Sequence, residues 1–210
     1  MLVVGAGGFA KQLLQSVLEQ HDQPVFYDGV SSRRWFLNRF AVISKDDEVR
    51  TYFSETDRRF VLGIGGSRLR MSLAEKFSAL GGDLISCISS KADISPSVAE
   101  IGKGISVLSH VVVEPDVVIS QGCLLNIGAI VTHDSSLGHF CEVGPGALIC
   151  GRCCIGDFVQ IGAGAIVIPG IKIGKGSIIG AGSVVVRDIP ENVMVAGNPG
   201  MIKKRLTYGI

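Results

Sequence analysis

The chain has 210 residues, 47% of them hydrophobic and 19% charged, the composition of one large or two modest well-packed domains and not of a disordered segment. A formal net charge of +1 provides no concentrated basic surface for neutralising phosphates, so a nucleic-acid partner is not expected. No run approaches the roughly 18 apolar residues of a membrane span, and MLVVGAGGFA enters its glycines without a basic leader, so a cytoplasmic protein with no membrane partner is expected.

Residues 1–91 read as a small Rossmann-like α/β domain with a parallel sheet. LVVGAGGFAKQLLQSVLEQ is a short apolar strand, a glycine turn and an amphipathic helix, and PVFYD is a second strand. FVLGIGGSRLRMSLAEKFSALGG repeats the strand, glycines and helix, and DLISCI supplies a further strand. Gly5, Gly7 and Ala10 fit the G-x-G-x-x-A fingerprint between strand and helix. Asp28 follows at the interval from which a carboxylate reaches a ribose hydroxyl. A full dinucleotide fold needs two such halves, so the expected ligand is a nucleotide or nucleotide sugar and not NAD.

Residues 92–187 carry an internal repeat. Counting by sixes from Ile101 gives Val107, Val113, Ile119, Leu125, Val131, Leu137, Val143, Ile149, Ile155, Ile161, Val167, Ile173, Ile179 and Val185, all aliphatic. Glycine follows that residue at Gly138, Gly144, Gly156 and Gly162 among others, and small residues such as Cys123, Ala129, Cys141 and Cys153 recur four places after it. Neither a helix period of about 3.6 nor a strand period of about 2 yields this register, whereas a prism of short strands and turns does, one hexad per face and three per coil. Residues eighteen apart then stack, which puts His133 over Gly151 and sets His133 and His139 on adjacent faces. A prism with flat apolar walls packs against copies of itself, and a cyclic trimer is expected. The six cysteines are expected to be reduced, those of the repeat serving as small buried hydrophobes; Cys150, Cys153 and Cys154 lack a second pair at zinc-finger spacing, and no metal is expected.

The remaining segment, 188–210, reads as a tail in which Asn198 and Pro199 mark a turn. A short basic helix or strand follows, able to offer Lys203, Lys204 or Arg205 to an anionic ligand or to solvent.

Through GAGGFA, FYD, GIGGSRLR, ISPSV, NIGAIVTHD and VAGNP, nearly the whole chain resembles the sugar O- and N-acyltransferases of the left-handed β-helix hexapeptide transferases. These include the sialic acid O-acetyltransferases and the nucleotide-linked 4-amino-sugar N-acetyltransferases. The resemblance implies a trimer, acetyl-CoA in the groove between adjacent β-helices, and a sugar nucleotide on the N-terminal domain. By position it makes His133 the catalytic base, Asp134 its acidic neighbour and Gly151 the backbone N–H facing the thioester oxygen. It gives Ala163 and Ala181 backbone contacts to CoA, places Glu142, Asn198 and Pro199 among the cofactor contacts, and assigns Gly7, Gly8, Phe9, Asp28 and Gly65 to the sugar-nucleotide pocket. Two positions depart from the family: Glu142 and Phe9 stand where many members have histidine. An ionised carboxylate cannot donate to a thioester oxygen, so His139 is a second candidate for that contact.

An amine or hydroxyl attacking a thioester must lose a proton, and imidazole is the side chain suited to accept it near neutral pH. The expected activity is therefore acetyl-CoA-dependent N-acetylation of a nucleotide-linked amino sugar, a UDP-4-amino-4,6-dideoxyhexose, for surface glycan synthesis, by direct transfer without an acyl-cysteine. O-acetylation of a sialic-acid-type sugar, a zinc-dependent lyase of the β-helical carbonic anhydrase kind and a non-catalytic sugar-nucleotide binder are the alternatives.

Overall fold

The computed structural model describes residues 1–21, 23–31 and 33–207. Its N-terminal part runs β1 (Leu2–Val4), α1 (Gly8–Leu18), β2 (Val25–Tyr27), β3 (Trp35–Phe36), β4 (Phe40–Ile43), α2 (Asp46–Glu55), β5 (Arg59–Leu62), α3 (Ser67–Ala79) and β6 (Asp83–Leu84). The strands form one sheet in the order β3-β4-β2-β1-β5-β6, parallel except for the β3–β4 hairpin. Alternation along β1 and β5 sorts their side chains to two layers. Val3 and Val61 meet Ala10, Leu13 and Val17 of α1, whereas Leu2, Val4, Phe60 and Leu62 meet Val49 and Phe53 of α2 and Phe77 of α3.

The chain leaves β1 to one side for β2 and returns to its other side for β5, so the topology switches there. In open α/β sheets such a switch leaves a crevice at the carboxyl ends of the strands, and here the glycine loops 5–8 and 63–66 border it. Gly5 has φ +116, and a Cβ on it would lie 2.7 Å from the Gly63 carbonyl oxygen, so the two loops abut only because no side chain intervenes.

Beyond β6 the chain winds into a parallel β-helix of three sheets. Face one begins with Cys87–Ile88 and Ser106–Val107, face two with Asp93–Ile94 and Val112–Val113, and face three with Glu100–Ile101 and Val118–Ile119. Rungs pair in the expected register of eighteen, as Val113 with Val131 and Leu125 with Val143. The inward aliphatic column from Val107 to Val185 is buried throughout. Ile101 is the exception at 38% exposure, because face three starts with its strand and has no rung above it.

Two expectations are corrected by the pairing. First, DLISCI is two strands, β6 in the α/β sheet and Cys87–Ile88 on face one, so the β-helix reaches above residue 92. Second, the segment after 187 is not a tail. Val193–Ala196 pairs parallel with Ile178–Ile179, continuing the interior with buried Val193 and Val195, and Met201–Arg205 folds back antiparallel as an exposed last strand carrying Lys203, Lys204 and Arg205. The repeat glycines have two separate uses. Those at Gly138 and Gly162 admit the next rung, since a Cβ would come within 2.6 and 2.5 Å of the Asp157 and Ala181 amide nitrogens. The left-handed backbone falls instead on the second turn residue of the hexads, glycine at Gly146 and Gly164 but Asp134, Phe140, Arg152 and Phe158 elsewhere.

The N-terminal domain is fused to the upper end of the β-helix. Cys87 and Leu108 join the α1 layer, and Phe140 joins the α3 layer, where its ring stacks on Phe158. No helix among the described residues is long and apolar enough to cross a membrane.

Candidate active site

His133 and Asp134 are the two turn residues at the corner between faces two and three, and His139 and Phe140 occupy the next corner, between faces three and one. The two histidines therefore lie at adjacent corners, not on adjacent faces. Asp134 sits at φ 58, a conformation short polar side chains tolerate, and its Oδ2 lies 2.8 Å from His133 Nδ1. The backbone N–H of His133 donates to Glu114 of the preceding rung at 3.0 Å, which steadies the turn. One rung on, Gly151 lies against the imidazole: a Cβ there would be 2.6 Å from Cε1 and 2.7 Å from Nε2. Both His133 and Asp134 side chains are about half exposed, at 50% and 52%. The corner thus presents an oriented ring whose Nε2 is turned over a glycine, open on its outer side.

Ala163 and Ala181 stack along the corner between faces one and two, the amide of Ala181 lying directly beneath Gly162. Asn198 and Pro199, joined by a cis peptide bond, lie in the turn after Val193–Ala196, tied to the same edge by Gly197 N–H to Ser183 Oγ at 3.2 Å and Gly200 N–H to the Val184 carbonyl at 2.7 Å. These four predicted cofactor residues are brought to one edge. Glu142 is near it on face one but turns upward: its Oε2 accepts the Gly66 N–H at 2.7 Å. His139 lines a cleft of about 430 Å³ against α3 with Met71, Phe158 and Lys175, and its N–H donates to Asp157 at 2.9 Å.

At the α/β crevice, Gly7 and Gly8 open α1, and a Cβ on either would meet nothing within 4 Å, so this rim is open. Phe9 is half-buried against the apolar layer beneath α1. Asp28 is occupied by its own loop: Oδ1 accepts the N–H groups of Val30 and Ser31 at 3.0 and 3.1 Å, and Oδ2 accepts the Ser31 hydroxyl at 2.6 Å. Burial raises its pKa, but those donors and Arg33, 3.2 Å away, outweigh burial and hold the carboxyl below its usual range. Arg33 also donates to the Ala6 carbonyl at 3.1 Å, which lays a guanidinium across the glycine turn. The sequence pattern did not single out Arg33; only closure of the loop after β2 brings it there.

All six cysteines are free. Burial pushes the Cys87 thiol up to about 12, and contact with Cys123 together with burial holds Cys141 well above its usual range. Cys123, Cys141 and Cys153 are buried and point their thiols at backbone carbonyls, the packing role expected of them. Among the described residues, no three His, Cys, Asp or Glu side chains gather as a metal site.

The residues at the His133 corner and the glycine crevice do not meet within one chain. The N-terminal domain contacts face one and its flanking turns, through Leu108, Gly122, Phe140 and Glu142. His133 and Gly151 lie at the corner joining the other two faces. Down face two runs an outward aliphatic ladder of Val112, Ile130, Leu148, Ile166 and Val184, none of them fully buried.

Comparison with solved structures shows similarity to PerB from Caulobacter crescentus in complex with CoA and GDP-perosamine, at 34% identity over 97% of this chain and 96% of that chain, with a TM-score of 0.86. The chain is likewise similar to the acetyltransferase domain of PglB from Neisseria gonorrhoeae in complex with acetyl coenzyme A, at 33% identity, 96% and 97% coverage and a TM-score of 0.88. For WeeI from Acinetobacter baumannii the figures are 28%, 96% and 98%, and 0.88. Residues 1–77 match the family profile described as PglD N-terminal domain, and residues 153–187 match that described as bacterial transferase hexapeptide (six repeats). No curated protein sequence matches significantly.

Proposed function

The chain belongs to the acetyl-CoA-dependent nucleotide-sugar N-acetyltransferases of the left-handed β-helix hexapeptide family, and on that premise we propose that it acetylates the 4-amino group of a nucleotide-linked 4-amino-4,6-dideoxyhexose for surface glycan synthesis. The acceptor occupies the crevice between the glycine loops 5–8 and 63–66, with Arg33 facing its diphosphate. Acetyl-CoA lies along the Ala163–Ala181 edge. A UDP-linked sugar is the first acceptor to test and a GDP-linked sugar the second, the latter because of the likeness to PerB.

The observation that carries this reading is the imidazole of His133, oriented by Asp134 and stacked on Gly151. With Nδ1 holding its hydrogen toward the carboxylate, Nε2 is the free acceptor. The sugar amine attacks the thioester carbonyl carbon while Nε2 takes its proton. Charge gathering on the carbonyl oxygen is met by the Gly151 N–H, which has no acceptor among the described residues. Collapse of the tetrahedral species breaks the carbon–sulfur bond, and the proton on Nε2 passes to the departing CoA sulfur. Cysteine takes no part, in keeping with thiols raised by burial.

Because base and crevice lie apart on one chain, a neighbouring copy must bring them together, and a cyclic trimer packed through the face-two ladder supplies that geometry. His133→Ala should lower kcat by about 10²- to 10⁴-fold while leaving CoA binding nearly unchanged, as read by steady-state kinetics and calorimetry. A rate that hardly moves would remove His133 as the base. Paired amino and hydroxyl acceptors in the same assay separate N- from O-acetylation.

A further inference from the structure

The outward residues of face one descend in the order Ser106, Leu124, Glu142 and Gln160. The first two are fully buried beneath the N-terminal domain, and Glu142 stands at the margin where that cover ends. Both of its carboxylate oxygens face the glycine loop after β5. Oε2 takes the Gly66 N–H at 2.7 Å, and Oε1 is 3.3 Å from where a Cβ on Gly65 would sit. Gly66 itself is at φ +94, the hinge through which the loop enters α3. Directly behind it, fully buried Arg70 donates to the carbonyls of Leu62, Ile64 and Gly122 and to Ser106 Oγ at 2.9 to 3.3 Å. The negative charge of Glu142 favours the charged form of Arg70 against its burial.

A loop with glycine at three of four positions has little order of its own, and its shape must be imposed by what it touches. Arg70 fixes the Ile64 carbonyl of the loop and that of Leu62 just before it from within the domain, and Glu142 fixes the Gly66 amide from the β-helix. We infer that Glu142 is a positioning residue that holds one wall of the acceptor crevice, and not a contact to the thioester. This rests on the reading that the crevice receives the nucleotide sugar. Its consequence is that loss of Glu142 weakens acceptor binding and spares acetyl-CoA.

The test compares Glu142→Ala and Glu142→Gln with the native protein in two measurements. In steady-state kinetics with UDP-, GDP- and dTDP-linked 4-amino-4,6-dideoxyhexoses, E142A should raise the acceptor KM by about tenfold or more, the loss of a charge-assisted hydrogen bond. The acetyl-CoA KM should stay within about twofold. E142Q keeps an oxygen for the Gly66 N–H and should recover most of the acceptor affinity. In amide exchange, segment 63–70 should lose about tenfold of its protection in E142A and keep it in E142Q. Should E142A fail to fold, E142D replaces it, retaining charge beside Arg70 but too short for Gly66. A raised acetyl-CoA KM with unchanged acceptor KM, or unaltered loop exchange in E142A or E142D, would overturn the inference. If no amino-sugar nucleotide is acetylated by the native protein, the proposed activity fails, and the exchange experiment still decides the role of Glu142.

Discussion

At Gly151 the missing side chain makes room for an imidazole, a constraint unrelated to backbone freedom. It is absent from the positions with left-handed φ, so alanine is compatible with its backbone, yet the new methyl would stand 2.6 Å from the His133 ring. Gly151→Ala should therefore displace the ring and lower kcat/KM by about a hundredfold, the cost of misplacing a reacting group by about 1 Å, with the melting temperature nearly unchanged. An active G151A enzyme would show that the ring does not act from this position. The stack could be read from the sequence because the register of eighteen is set by inward aliphatic residues that tolerate no slip. Asp28 and Glu142 could not. Each is oriented by contacts made only when loops close, Asp28 by Ser31 and Arg33 and Glu142 by an amide 76 residues upstream.

The hexad elements were legible for the same physical reason, since each contributes one side chain to a shared interior. Short elements with sparse patterns were not. The α2 helix buries only Val49 and Phe53 from an otherwise polar stretch, and β3 is two residues in a hairpin. The turns do not follow from composition alone, for Phe140 and Phe158 take the left-handed position that glycine fills elsewhere. Packing accounts for them: their rings stack 6.2 Å apart beneath α3 and join the domain's apolar layer. Arg70 is the polar counterpart of that link. Burial pushes its pKa down to about 10, so it remains charged at neutral pH. Arg70→Met would fill the space but strand four acceptors, costing about 3 kcal/mol or more and lowering the melting temperature by roughly 6–12 °C. A thermal melt superimposable on the native one would show that α3 is held without it.

For the molecule as a whole, the proposed separation of base and crevice would make activity a property of the assembly. Gly7 offers a clean way to disable one half, because a side chain there enters open space without straining the helix. Gly7→Trp should block acceptor binding, and co-expression with H133A should restore about a quarter of native activity, since random trimers pair intact halves at that frequency. No recovery would mean that each chain works alone. The reversed final strand bears on assembly in a different way. A helix of stacked rungs invites indefinite end-on growth, because its last rung offers bare amides and carbonyls to any molecule that can extend it. At the upper end the α/β domain covers face one; at the lower, Met201–Arg205 runs against the grain on that same face and sets three cations on its edge. Face one is thereby blunted against end-on growth at both of its ends.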